Sequence, residues 1–274
     1  MTMPHLRHKS EIYNTNRGTK TLRNIALFFA ISGAMMGSAY AKDDDEKQVK
    51  FTPESGFFVT AHAGLSTPRD AKYDGVQSPN NGVPGMVGAP ANVRVEFSNG
   101  EFFGGSIGYR LNRHVFGIFQ PSIEVEANYS NADVNGGSFN GGNQHFGGNQ
   151  KAISFSLNYQ SDIRWSDDQK IIPFTGGGIG VTQVENNILY GGNSSPNAAP
   201  SFGVVGSDAG LSLHNNIGLT YVINDNVELT ARARYQRVSG LKFDRRFLAT
   251  GGLNANVEGK YENLIFSAGI RKRF

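Results

Sequence analysis

Apolar and polar residues alternate one by one in segment after segment of this 274-residue chain. A strand sends successive side chains to opposite faces, so each such segment carries one apolar and one polar face. The C-terminal stretch "NLIFSAGIRKRF" shows the pattern. Leu264, Phe266, Ala268, Ile270, Lys272 and Phe274 share one parity; Asn263, Ile265, Ser267, Gly269, Arg271 and Arg273 share the other. Seven earlier stretches behave alike: "GFFVTAHAGLS" from Gly56, "EFFGGSIGYRL" from Glu101, "PSIEVEANYS" from Pro121, "KAISFSLNYQ" from Lys151, the glycine-rich "IIPFTGGGIGVTQV" from Ile171, "LSLHNNIGLTY" from Leu211 and "NVELTARARYQR" from Asn226. The expectation is an all-β fold of eight antiparallel strands.

The connections sort by length. Residues 111–116, 165–170 and 223–226 read as tight turns, whereas 66–92, 131–150, 186–206 and 240–257 read as long loops rich in Gly, Asn, Pro and Ser. Short and long alternate, so the long loops should emerge at one end of an up-and-down barrel. Short periplasmic turns and long external loops are the habit of transmembrane barrels. A water-soluble barrel of the lipocalin kind would also have eight strands, with its apolar parity inside. The polar parity here decides between them. It holds Glu124, Glu126, Glu228, Arg232, Arg234 and Arg271, three acids and three bases, beside small residues such as Ser154, Ser156, Ser212 and Ser267. That mixture suits a narrow, salt-bridged lumen, and an Arg facing lipid near the midplane costs about 2–4 kcal/mol. Tyr129, Tyr159, Tyr221 and Tyr235 end the apolar faces where aromatic girdles are expected. A one-residue register slip would place every charge in lipid.

The N-terminus agrees with export. Arg17, Lys20 and Arg23 precede the apolar run "IALFFAISGAMMGSAYA", which closes on Ala39-Tyr40-Ala41 before "KDDDEKQ". This is the layout of a signal peptide, expected over 1–41 with cleavage near Ala41. A polar tail, 42–55, and a barrel domain, 56–274, should follow. Five of the 26 basic residues and one of the 23 acidic ones lie in the leader, so the mature chain keeps 21 bases against 22 acids. The basic balance of the whole chain thus gives no support to nucleic-acid binding. The chain has no cysteine, which fits an exported protein that does not rely on disulfides.

Three stretches, "PSIEVEANYSNADV", "IIPFTGGGIGVTQV" and "FSAGIRKRF", resemble the small outer-membrane barrel superfamily that includes opacity-type proteins, and look especially like surface-antigen, porin-like barrels of Gram-negative bacteria. The resemblance implies a cell outer-membrane protein inserted by the barrel-assembly machinery. In that family a terminal Phe with alternating apolar residues before it is similar to the signal this machinery reads, which here would be Phe266, Ala268, Ile270 and Phe274. Outer-membrane lipid and lipopolysaccharide are the implied surroundings.

No motif points to catalysis, a cofactor or a metal. "GGSIG" places Ser106 in a G-x-S-x-G pattern, but no helix signal follows, as a nucleophile elbow requires. "GGGIG", 176–180, has no Lys-Ser/Thr after it and reads as strand curvature. His62, His114, His145 and His214 have no metal-ligand spacing. In the loops, Phe139 and Phe146 stand among glycines in a low-complexity stretch, 135–149, expected to stay mobile until a partner orders it. "KFDRRF" interleaves Lys242, Arg245 and Arg246 with Phe243 and Phe247, a pattern suited to lipopolysaccharide phosphates or anionic host glycans. The expected function is a non-catalytic structural surface protein with loops available for adhesion or a host ligand. A small porin and an outer-membrane lipid-modifying enzyme are the alternatives.

Overall fold

A computed structural model describes residues 54–78, 86–191 and 199–274; the expected signal peptide and residues 42–53 of the polar tail lie outside the described residues. Eleven strands make one antiparallel sheet. They are β1 (Gly56–Pro68), β2 (Ala71–Gln77), β3 (Val93–Phe97), β4 (Gly100–Arg110), β5 (Phe119–Phe139), β6 (Gly142–Asn143), β7 (His145–Ile163), β8 (Ile171–Gly191), β9 (Phe202–Asn224), β10 (Val227–Phe247) and β11 (Leu253–Arg273). The eight that match the alternating segments close on themselves in the order β1-β4-β5-β7-β8-β9-β10-β11, and β11 pairs back onto β1 from Phe58↔Arg273 to Pro68↔Asn263. The ring is an up-and-down transmembrane barrel of eight strands. At its short-turn end the tightest link is Asp225-Asn226 between β9 and β10. There the Asn224 carboxamide oxygen accepts from the amides of Asn226 (3.0 Å) and Val227 (2.9 Å), a local bond that presets the reversal.

The wall is apolar outside around the whole ring. Leu65, Ile107, Val125, Phe155, Val181, Ile217, Leu229 and Phe266, one from each strand, are all between 44% and 64% exposed. So continuous an apolar band marks contact with hydrocarbon. Between these residues the opposite parity turns inward and is polar. Glycine makes room for it: a Cβ on Gly178 would lie 2.3 Å from the Asn158 side-chain oxygen and 2.7 Å from the His214 ring. The "GGGIG" stretch therefore thins the wall at that level.

The long connections differ from the expected loops. Most of 131–150, 186–206 and 240–257 is strand, because β5, β8, β10 and β11 each run 21 residues. At about 3.3 Å per residue these reach roughly 70 Å, whereas crossing the hydrocarbon takes only about 9–11 residues. The 135–149 stretch, expected to be mobile, forms the end of β5, the short β6 and the start of β7. Beyond the ends of β1 and β4, the β2–β3 pair fills their places: β2 pairs β11 (Gly75↔Val257), β3 pairs β5 (Val95↔Gly137), and the two pair with each other (Ala71↔Val95). A second ring, again of eight strands, thus continues the barrel as an outer collar.

In the collar the polarity of the two faces reverses. Asp133, Glu185, Lys242 and Glu258 now point out, while Val93, Val95, Val184, Ile188, Leu241, Phe243 and Val257 pack inside as an apolar core. Strand β10 carries the change furthest. Its register slips between Val238 and Leu241, where Gly240 takes a positive φ of 75°. That φ is strained for any residue with a Cβ and free for glycine. The bulge moves the inward parity from even to odd residues, so Leu241, Phe243 and Arg245 face the core.

Candidate functional site

The barrel interior is where side chains of unlike chemistry converge, and it is stacked in two layers. The lower layer is a network of charges. Glu124 and Glu126 come from β5, Glu228, Arg232 and Arg234 from β10, and Arg271 from β11; all six are at most 6% exposed. Glu126 accepts from Arg234 Nη1 (2.5 Å) and Nη2 (2.7 Å), from Arg232 Nη1 (2.8 Å), and from the amides of Asn128 (3.0 Å) and Asn158 (3.1 Å). Glu124 accepts from the Ser106 hydroxyl at 2.9 Å and lies 3.5 Å from Arg232 and 3.9 Å from Arg271. Ser106, the centre of the G-x-S-x-G pattern, is thus a donor within the lumen network.

Two members were missed at the sequence level. Arg110 bridges Glu228 (3.2 Å) and Asp162 (3.0 Å), and Asp162 also accepts from Gln160 at 2.7 Å. Arg110 stands on the inward parity of a segment already recognised and Asp162 two residues past the end of another, on its inward parity, which was the available signal. With them, the buried Arg110, Arg232, Arg234 and Arg271 face the buried Glu124, Glu126, Asp162 and Glu228, and the less buried Arg273 adds a fifth base 3.5 Å from Glu228. Burial of such ions is costly unless each is paired and hydrogen-bonded. Pairing across the bore also ties β4, β5, β7, β10 and β11 together. Arg271 adds a bond from Nε to Thr60 (3.1 Å) and lies 4.2 Å above the Phe58 ring. His62 sits 3.7 Å from Glu126 and stacks on Phe102, while His214 faces the same lumen from β9.

The upper layer is the collar core. A polar seam separates it from the network: the Tyr73 hydroxyl oxygen accepts from Gln150 (3.0 Å) and Asn186 (2.9 Å), and the hydroxyls of Ser130 and Tyr261 lie 2.9 Å apart. Burial pushes the Tyr73 phenol well above its ordinary value. Beyond it, aromatic rings fill the bore. Phe146 stacks on Tyr190 with centroids 4.8 Å apart, Tyr190 on Phe202 at 5.8 Å, and Phe202 meets Phe247 at 4.7 Å.

The expected loop contacts divide accordingly. Phe146 is buried in the collar core and Phe139 packs against it, so neither ring is a free loop contact; the apolar core recruits both. Arg245 is likewise not a surface side chain. The bulge turns it inward, where it is 2% exposed, with Phe139 and Phe202 each 4.2 Å from its guanidinium carbon and Nε donating to the Tyr190 hydroxyl. Lys242 is exposed; Arg246 pairs with Asp244 at 2.6 Å and donates to the Gly251 carbonyl at 2.9 Å. At the opposite end Phe266, Ala268, Ile270 and Phe274 all face outward, and the Phe274 amide donates to the Phe57 carbonyl at 3.0 Å.

No protein-family model matches the chain, and no curated protein matches it by sequence. Solved structures do. The outer membrane protein OprG from Pseudomonas aeruginosa superposes with a TM-score of 0.50 at 12% identity, over 82% of this chain and 98% of that one. Neisserial surface protein A gives 0.39 at 18% identity, over 81% of this chain and 99% of its own. The outer membrane protease OmpT from Escherichia coli gives 0.45 at 11%, over 84% and 100%. The closed ring, the apolar outer wall, the charged lumen and the superposition on OprG agree: this chain has the fold of the small outer-membrane β-barrels.

Proposed function

We propose that the chain is a non-catalytic surface barrel of the outer membrane, closed to solutes, whose long strands hold a rigid collar in the external medium. On this reading the short turns face the periplasm, the collar tips are the surface offered to adhesion partners, and lipid and lipopolysaccharide surround the apolar wall. The observation that carries it is the doubly filled bore. An eight-stranded barrel is only wide enough for side chains to fill; here one level is packed with paired ions and the next with aromatic and aliphatic side chains. A passive solute pathway would need both levels to part.

Purified protein in planar bilayers is therefore expected to give no stable single-channel steps. Large, reproducible steps would favour the porin reading and overturn this one. Lipid A mass profiles are expected to be unchanged on deletion, whereas a missing or added acyl chain would favour a lipid-modifying enzyme. Cut sites from proteolysis of intact cells should fall in the collar tips and never in 111–118 or 164–170.

A further inference from the structure

The four buried carboxylates of the described chain, Glu124, Glu126, Asp162 and Glu228, all belong to the lower network, yet a fifth buried arginine lies far from them. Arg245 is thirteen residues beyond Arg232 on β10, roughly 40 Å at the rise of a strand. At that separation no carboxylate of the network is within ion-pair reach of it. The sequences that follow Ser78 and Gly191, 79–85 ("PNNGVPG") and 192–198 ("GNSSPNA"), contain no Asp or Glu. Asp244, the acid beside it in sequence, is engaged by Arg246, and Asp208 accepts from the Lys242 amide at 2.7 Å.

What Arg245 has instead is an aromatic frame. The Phe139 and Phe202 rings each lie 4.2 Å from its guanidinium carbon, Tyr190 lies 5.6 Å away, and Nε donates to the Tyr190 hydroxyl. These contacts offset part of the loss of water around a cation, and they fix the plane of the fork. Nη1 and Nη2 donate to no described group, and unlike Nη1 of Arg271 they are not sealed from water. A planar pair of donors, preoriented by stacked rings and lacking a counter-charge, matches the bidentate geometry of carboxylate, sulfate and phosphate.

We propose that Arg245 and its frame form an oxyanion-binding site at the collar end of the bore, taking a carboxylate, sulfate or phosphate group that enters from the aqueous side. The inward turn imposed by the Gly240 bulge faces Arg245 away from the lipid-facing wall, so a lipid headgroup beside the barrel is the wrong source. Only the statement that the ligand comes from outside the cell rests on the proposed topology; the site itself does not.

The test is a titration of the full barrel in zwitterionic-lipid nanodiscs with inorganic phosphate, sulfate or acetate, against chloride at equal ionic strength, reading the arginine Nε–Hε resonances by NMR. One resonance should shift saturably with an oxyanion and not with chloride, and Arg245→Lys should remove that resonance and weaken the affinity at least tenfold. An unchanged affinity in Arg245→Lys, or no saturable shift of any Nε–Hε resonance, overturns the proposal. A shift seen only when lipid A is placed in the nanodisc, and not with free phosphate, overturns it also by assigning the anion to the membrane. The wild-type titration stands alone if the variant fails to fold, and a failed titration leaves the proposed topology intact.

Discussion

Arg234 and Phe243 lie on the same strand and point into the same bore, one into a web of ions and the other into packed rings. The difference between the two levels lies outside the wall. Where hydrocarbon surrounds the barrel, apolar side chains face outward, and moving them inward would gain nothing over contact with lipid. The inner parity is then free to be polar, provided every charge has a partner. Where water surrounds it, the outward parity must be polar and the inner one supplies the hydrophobic burial that keeps a collar standing. One continuous wall therefore holds an inverted protein below and an ordinary one above.

That contrast can be attacked from either level. The largest effect is expected from Glu126→Leu, which leaves Arg232 and Arg234 without their shared carboxylate. About 3–5 kcal/mol of stability should be lost on breaking such a buried pair, measured by urea unfolding in detergent micelles. A loss under about 1 kcal/mol would mean the lower level is wetter and less dependent on pairing than its geometry implies. Next comes Val125→Arg on the lipid face at the same height, expected to cost about 2–4 kcal/mol and to slow insertion into bilayers. In the collar, Tyr73→Phe removes the acceptor of Gln150 and Asn186 and should cost about 1–3 kcal/mol without changing membrane insertion. Gly240→Ala forces a Cβ into a left-handed backbone and should cost about 1–2 kcal/mol. It would sharpen the comparison further if hydrogen exchange rose in the collar half of β10 alone. The smallest effect belongs to Asp133→Arg, on the outer wall of the collar, expected within about 0.5 kcal/mol. If it cost as much as Val125→Arg, hydrocarbon would reach the collar and the boundary drawn here would be misplaced.

The eight membrane-crossing strands were legible because their alternation keeps a single phase: apolar out, polar in, from Phe57 to Phe274. The lumen charges could be read from the same parity; Arg110 already stands on it within its segment, and Asp162 could have been added by extending its segment two residues. The collar was not legible for the reason that makes it a collar. Along Val184, Ile188 and Tyr190 the inward residues become apolar while Glu185 and Asn187 face out, so a reader holding one phase sees the pattern dissolve into a loop. Gly240 hides the rest by shifting the count by one, which is why Arg245 looked like a surface residue. Phe139 and Phe146 stand among glycines that suggest mobility, but Phe146 keeps the inward parity of β7, and the register shift of β5 opposite Glu96 and Phe97 brings Phe139 to the same core.

The β2–β3 pair has a consequence for what the outer surface is free to become. With residues 69–97 excised, the collar halves of β5 and β11 would face each other across a slit roughly 14 Å wide, three strand spacings, lined by bare amides and carbonyls. Such a slit would invite an extended segment of any passing chain to zip into it. The first connection is thus a fitted stave rather than spare rope, and sequence drift on this surface should spare it and gather at the other tips.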